Sequence, residues 1–341
     1  MRNAHWGARY APALAVAFSL SSLSATMMAA GQQAAKPAAP AAKAAANKAA
    51  APKKPTLRTP DGKPDLQGVW DFAQLTPFER PDQFGNQSQV DPDAVEEFAQ
   101  QKAADSNKDR RDGPATVDVE RAYNDFWWDF GHRVAKQTSL VVDPADGRMP
   151  ALTEAAQARL KARVNKYENP EERPLAERCI LGFNSGPPMV PSAYNNNVQI
   201  VQTKDQVLIF NEMVHSARIV DMSGKPHPPA SMKFLTGHSI GRWEGDTLVV
   251  DTTNFVREGL FRFSSAKMHL VERFKLDDDQ TLRYDFTITD PETWTKPFTV
   301  SMPMIRSSEQ MFEYACHEGN IGLEGVLKGA RFQDKNPTKS N

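Results

Sequence analysis

One carboxylate in this chain sits where a carboxylate needs a reason. Read as a strand, Met268–Leu276 places Glu272 on the same face as Met268, Leu270, Phe274 and Leu276, a single acid in an apolar row. Such a group cannot remain ionised alone: it pairs with a cation, binds a ligand group, or holds a proton. Two readings stay open, a structural ion pair to Arg218 or Arg283 and a functional acid or base inside a cavity. A second candidate comes from the hairpin around Glu244-Gly245-Asp246-Thr247. With Gly245-Asp246 as the loop, Ile240 faces Asp251 and His238 faces Thr253, so His238 and Asp251 lie diagonally on one face, near enough for a carboxylate to orient an imidazole. A sheet with one wet side produces the same alternation. His269, at the head of the Glu272 strand, is a further acid–base candidate.

Glu212-Met213-Val214-His215-Ser216-Ala217-Arg218 holds the remaining cluster. Strict alternation puts Glu212 with Arg218 and His215 on the other face, unless the chain bends near Val214. Glu-x-x-His holds metal on a helix but points apart on a strand, and His227, His238, His269 and His317 complete no recognisable ligand spacing. No cofactor motif is present in the sequence either, so no cofactor is assigned. The aromatic run Tyr123, Phe126, Trp127, Trp128 and Phe130 reads as core or as a wall against a ligand. Tyr194 and Asn195, in the rigid polar segment Gly186–Asn197, join Trp127, Trp128 and Arg218 as candidate ligand contacts, although turn chemistry also accounts for Asn and Pro there. Cys179 and Cys316 are the only cysteines, and in an exported chain an isolated pair forms a disulfide.

These residues are positioned by strands. Val198–Thr203, Gln206–Asn211, Ser216–Met222, His238–Glu244, Thr247–Thr253, His269–Leu276, Thr281–Thr289 and Phe298–Met302 carry β-branched or aromatic residues at the strand period. The expectation is a mainly β fold: an antiparallel, lipocalin-like barrel or curled sheet with two helical insertions, near 91–106 and 153–168. Gly68-Val69-Trp70, after the turn Thr59–Gly62, resembles the entry strand of lipocalin-type barrels, whose Trp closes one end.

The ends carry an address. Arg2 and Arg9 precede an apolar run that ends in small residues, the pattern of a signal peptide over 1–31. Ala, Lys and Pro then form a tether over 32–56, a composition unable to build a core. One domain over 57–332 and a flexible tail over 333–341 complete the organisation. Residues 1–60 hold eight Lys and Arg and no acid, leaving 33 basic and 42 acidic residues, a balance of −9, in the remainder. That disfavours a nucleic-acid groove. The location read from this is periplasmic or secreted, with no membrane span once the signal is removed.

Gly241–Phe255, together with Pro64–Trp70, His269–Phe274 and Tyr314–Asn320, resembles a large family of exported bacterial proteins of uncharacterised function, over nearly all of residues 57–332. The resemblance implies that these segments form one unit and brings no activity, cofactor or catalytic residue. The residues themselves lead to a barrel that binds a hydrophobic or aromatic small molecule, with cofactor-free acid–base chemistry as its reaction if it has one. A metal-dependent hydrolase and an envelope structural or adaptor protein are the alternatives.

Overall fold

The computed structural model describes residues 57–107, 109, 128–131, 133–162, 169–257 and 259–336. The segments read as signal and tether, Trp127 and the end of the second predicted helix lie outside the described residues. Ten strands follow one another: β1 (Gly68–Asp71), β2 (Val141–Asp143), β3 (Asn197–Gln202), β4 (Gln206–Asn211), β5 (Ser216–Asp221), β6 (His238–Glu244), β7 (Thr247–Thr253), β8 (His269–Leu276), β9 (Thr281–Thr289) and β10 (Phe298–Ser307). Among the described residues three α-helices accompany them: α1 (Val95–Ser106), α2 (Glu154–Ala162) and α3 (Ile321–Lys335).

β1 pairs with β3 on one side and β10 on the other, through Val69↔Gln199 and Val69↔Ser307, and this closes nine strands into a barrel. β2 adds to β10 outside the ring, beside a register shift at Thr299/Val300. Closure removes the free edges that an open sheet would leave unpaired. The strand that carries Gly68-Val69-Trp70 is the one that closes the ring. Trp70 is fully buried, its Nε1 donates to the Leu66 carbonyl at 2.8 Å, and the Arg306 guanidinium lies 4.2 Å from its ring centre. Gly68 has φ +123°, and a Cβ there would come within 2.6 Å of the Arg306 guanidinium, so the position requires glycine.

Alternate residues fill the interior as one core: Trp70, Ile200, Ile209, Val220, Leu248, Val250, Leu270, Phe274, Tyr284, Phe286, Val300 and Met302 are among its fully buried members. The barrel interior is therefore packed by its own side chains in the way small barrels commonly are.

Three features depart from expectation. First, the barrel is mixed: β5 and β6 run parallel over Val220↔Ser239 and Asp221↔Ile240. A parallel join needs a long crossover, and Met222–Gly237 supplies it. Second, Glu212 and Val214 do not continue a strand. Met213–His215 forms a single 3-10 turn with Val214 at φ 55° and His215 at φ 38°, a left-handed kink that a β-branched residue adopts only under constraint. Third, Ile321–Lys335 forms the helix α3, which the sequence reading did not expect and which runs into the segment read as a tail from 333. Leu323, Leu327 and Ala330 lie on one stripe and are half-buried, while Gly322, Gly325 and Gly329 dilute the helical signal. Asn320 caps it by accepting from the Leu323 N–H and donates to the Glu177 carbonyl at 2.9 Å. The Cys179–Cys316 disulfide holds this C-terminal segment to the body of the protein.

Candidate acid–base site

Strand alternation sends two sets of polar residues to opposite sides of the same wall. Inside, Glu272 is fully buried and Arg218 is 8 % exposed. The guanidinium grips the carboxylate with two nitrogens, Nη2 at 2.8 Å from Oε1 and Nη1 against Oε2, and Tyr284 Oη donates to Oε1 at 2.6 Å. The Met189 backbone N–H donates to Tyr284 Oη at 3.2 Å. Burial and the Glu272 charge push the Tyr284 phenol well above its usual range, which keeps it protonated and donating. Glu272 thus has the geometry of the ion-pair reading, and its cation is Arg218. The other proposed partner, Arg283, pairs with Asp277. Arg218, a candidate ligand contact in the sequence, is engaged by this pair.

Outside, β6, β7 and β8 present His238, Asp251 and His269, and the register is the one read from the hairpin, with His238↔Thr253 and Ile240↔Asp251. Among the described residues no hydrogen bond joins His238 to Asp251. A third imidazole, His227, enters between them from the crossover: its Nδ1 lies 3.0 Å from His238 Nδ1 and its Nε2 lies 3.0 Å from Asp251 Oδ1. His269 Nε2 meets the same oxygen at 2.9 Å. The crossover is fixed by Asn254, whose Nδ2 donates to the Pro228 carbonyl at 3.1 Å, and by a short parallel bridge between Phe234 and Phe255. Phe234 also lies against the His238 ring. Nothing in the local sequence of His227 announces this, because its place is set by how the crossover docks.

The charges follow from the contacts. Burial pushes the Asp251 carboxyl up, but hydrogen bonds from His269 and His227 outweigh it and hold the group below the ordinary carboxylate range. The bond to Asp251 raises His269, against its burial. Burial, then the neighbouring His227, lowers His238, with Asp221 opposing. An ionised Asp251 accepts from the Nε2–H of both His227 and His269. With its proton at Nε2, the His227 ring presents a lone pair at Nδ1, which in this tautomer accepts the Nδ1–H of His238. That tautomer leaves the Nε2 lone pair of His238 without a partner among the described residues. Also among the described residues, no set of three or more His, Cys, Asp and Glu is arranged to hold a metal ion, and no helix is long and apolar enough to cross a membrane.

The other candidates lie elsewhere. His215, on the left-handed kink, is exposed and forms no side-chain hydrogen bond among the described residues. Trp128 and Tyr194 join an aromatic row: Trp128 stacks on Phe130 with centroids 5.3 Å apart, and Tyr194 packs edge-on against Trp128 and Phe183 and faces Tyr314. Burial, then Tyr314, pushes the Tyr194 phenol up to about 12. Asn195 adopts φ 51°, and the Asn184 side chain donates to its carbonyl at 3.0 Å, an arrangement of turn support.

The barrel and this outer-wall cluster define the protein as a closed mixed β-barrel with an imidazole–carboxylate chain on its surface. No family model matches the chain, and neither a curated protein nor a solved structure is significantly similar to it.

Proposed function

We propose that this is an exported protein of the periplasm or the secreted fraction that handles a hydrophobic or aromatic small molecule by cofactor-free acid–base chemistry. The reaction class is proton transfer at carbon or oxygen, as in isomerisation, hydration or elimination. The observation that carries the reading is the unbroken chain His238–His227–Asp251–His269. His238 Nε2 accepts the substrate proton. The Nδ1 proton of His238 then moves to His227 Nδ1, and the resulting imidazolium is paired with Asp251. His269 holds the carboxylate in place from the other side and is a positioning residue. The lowered pKa of His238 keeps it unprotonated at neutral pH, which a general base requires. Export is supported by the N-terminal pattern and by the disulfide, since such bonds persist in oxidising compartments. The resemblance to an exported bacterial family agrees with the same address.

The test uses a base-sensitive probe, ring opening of 5-nitrobenzisoxazole, which requires only removal of a carbon-bound proton. The expected result is a rate above that of free imidazole at equal concentration, rising with pH through an apparent pKa below 6.5. His238→Ala abolishes it and Asp251→Asn lowers it at least tenfold. An unchanged rate in folded His238→Ala overturns the reading.

A further inference from the structure

A separate cavity lies away from the imidazole chain and shares none of its residues. Its volume is 330 Å³, near the lower end of the roughly 300–1,000 Å³ usual for small-ligand sites. Leu175, Leu181, Phe183, Pro188, Val190 and Phe261 give it apolar walls. Two arginines also line it, and they differ. Arg257 already has a partner. Arg262 has neither an ion pair nor a side-chain hydrogen bond among the described residues; its guanidinium rests over the Phe78 ring, 4.3 Å from the centroid.

We propose that this cavity binds a small amphipathic anion, an aromatic or aliphatic body bearing one carboxylate or sulfonate, with Arg262 as the anion's partner. Three observations converge. The walls take an apolar body, and its burial supplies the affinity. A guanidinium with its donors uncommitted fits a carboxylate fork and fixes the orientation of the ligand. Arg262 is also held at φ 49°, a backbone conformation costly for a non-glycine residue and one found at ligand clamps. The cation–π contact with Phe78 orients the guanidinium without using its hydrogen-bond donors. Glu79, the acid whose charge reaches Arg262, accepts instead from the Met149 N–H at 2.8 Å.

The experiment compares two fluorescent probes of nearly the same shape, anionic 1-anilinonaphthalene-8-sulfonate and uncharged N-phenyl-1-naphthylamine, titrated into the full chain. The anion is expected to bind at one site per chain and more tightly than the neutral probe. Arg262→Gln weakens the anion at least tenfold and leaves the neutral probe within a factor of two. Ala176→Trp, which fills the cavity from its wall, weakens both. Arg262 is exposed, so its replacement keeps the fold, and the melting temperature checks this. Equal loss of both probes in Arg262→Gln, or anion binding within threefold of the unmodified protein, overturns the proposal. Failure of either probe to bind the unmodified protein at millimolar concentration overturns it as well. None of these outcomes alters the proton-transfer assay, which reads His238 and Asp251.

Discussion

Replacing Glu272 by Gln tests the internal ion pair, and its cost follows from the contacts. The amide keeps the shape of the side chain and one acceptor for Tyr284, but it removes the charge facing Arg218 and sets an NH2 group against a guanidinium. Arg218's remaining side-chain hydrogen-bond partners among the described residues are then Ser239 Oγ and Thr252 Oγ1, each at 3.5 Å, the outer limit of a hydrogen bond. Those two hydroxyls already bond each other at 2.9 Å. An uncompensated cation in the packed interior costs about 3–5 kcal/mol. Arg218→Met alone strands the carboxylate and costs a similar amount. The double replacement Arg218→Met with Glu272→Leu removes both charges, and it is expected to lie within about 1 kcal/mol of the unmodified protein or to exceed it.

Equilibrium urea unfolding followed by fluorescence and by circular dichroism gives the three differences, with coincidence of the two signals as the check on two-state behaviour. A double-mutant cycle then isolates the coupling, expected at about 2 kcal/mol or more. A loss below about 1 kcal/mol in Glu272→Gln refutes the reasoning, because it means that water or a ligand reaches the carboxylate. The same variant should leave the ring-opening rate of the outer site unchanged, since Glu272 belongs to no part of that chain.

Thiol titration of the unreduced, unfolded protein should find no free thiol; two would contradict the disulfide. The bridge spans 137 residues, for which chain entropy alone allows about 5 kcal/mol. No residue of α3 is fully buried, so reduction should release the C-terminal segment before the barrel unfolds and should cost less than that figure; limited proteolysis should cut first between Ser308 and Ile321. Gly68→Ala forces a Cβ against Arg306 in a left-handed conformation and should cost about 1–3 kcal/mol in the same urea assay. The outer cluster should hold the crossover best near neutral pH. His269, raised in the folded state, stabilises fully below about 6.5 and loses this as pH rises through its folded pKa; His238, lowered, contributes above about 6.5 and loses this as pH falls through its folded pKa. Amide-exchange protection in Met222–Gly237, the intrinsic rate divided by the observed rate at each pH, should therefore peak around neutrality, and a flat profile of protection would refute the clasp.

What the sequence made legible was whatever its local rules determine. Gly245-Asp246 fixes a two-residue turn, so every partner from Glu244↔Thr247 to His238↔Thr253 could be counted out by hand. Alternation put Glu272 inside, and the sequence offered Arg218 or Arg283 as its cation, of which the structure pairs Arg218. The failures are tertiary. His215 left the predicted alternation because the kink at Val214 is imposed from outside the strand: Ser185 Oγ donates to the Met213 carbonyl at 2.8 Å, and the Glu212 side chain accepts from Asn197 at 2.9 Å. α3 was hidden by its glycines. His227 was missed because no periodicity governs a crossover, and tertiary contacts such as those of Asn254 and Phe234 decide where that segment lies.

The irregular join and the candidate site are one feature. An antiparallel β5–β6 pair would have needed only a tight turn, and Asp251 would then face solvent with His238 out of reach on the diagonal. The parallel pairing demands a long connection, and that connection lies over the outer wall and brings His227 to the gap. Glu272, inside the barrel, offers no comparable place for proton transfer, since it is committed to Arg218 and Tyr284. Shortening the crossover tests this dependence. Removal of Ser223–Lys225, three exposed residues outside the Asn254 and Phe234 contacts, should leave the barrel's unfolding free energy within about 1 kcal/mol. It should displace His227 and lower the ring-opening rate as far as Asp251→Asn does. A shortened protein that keeps the full rate would show that His238 works without the chain behind it.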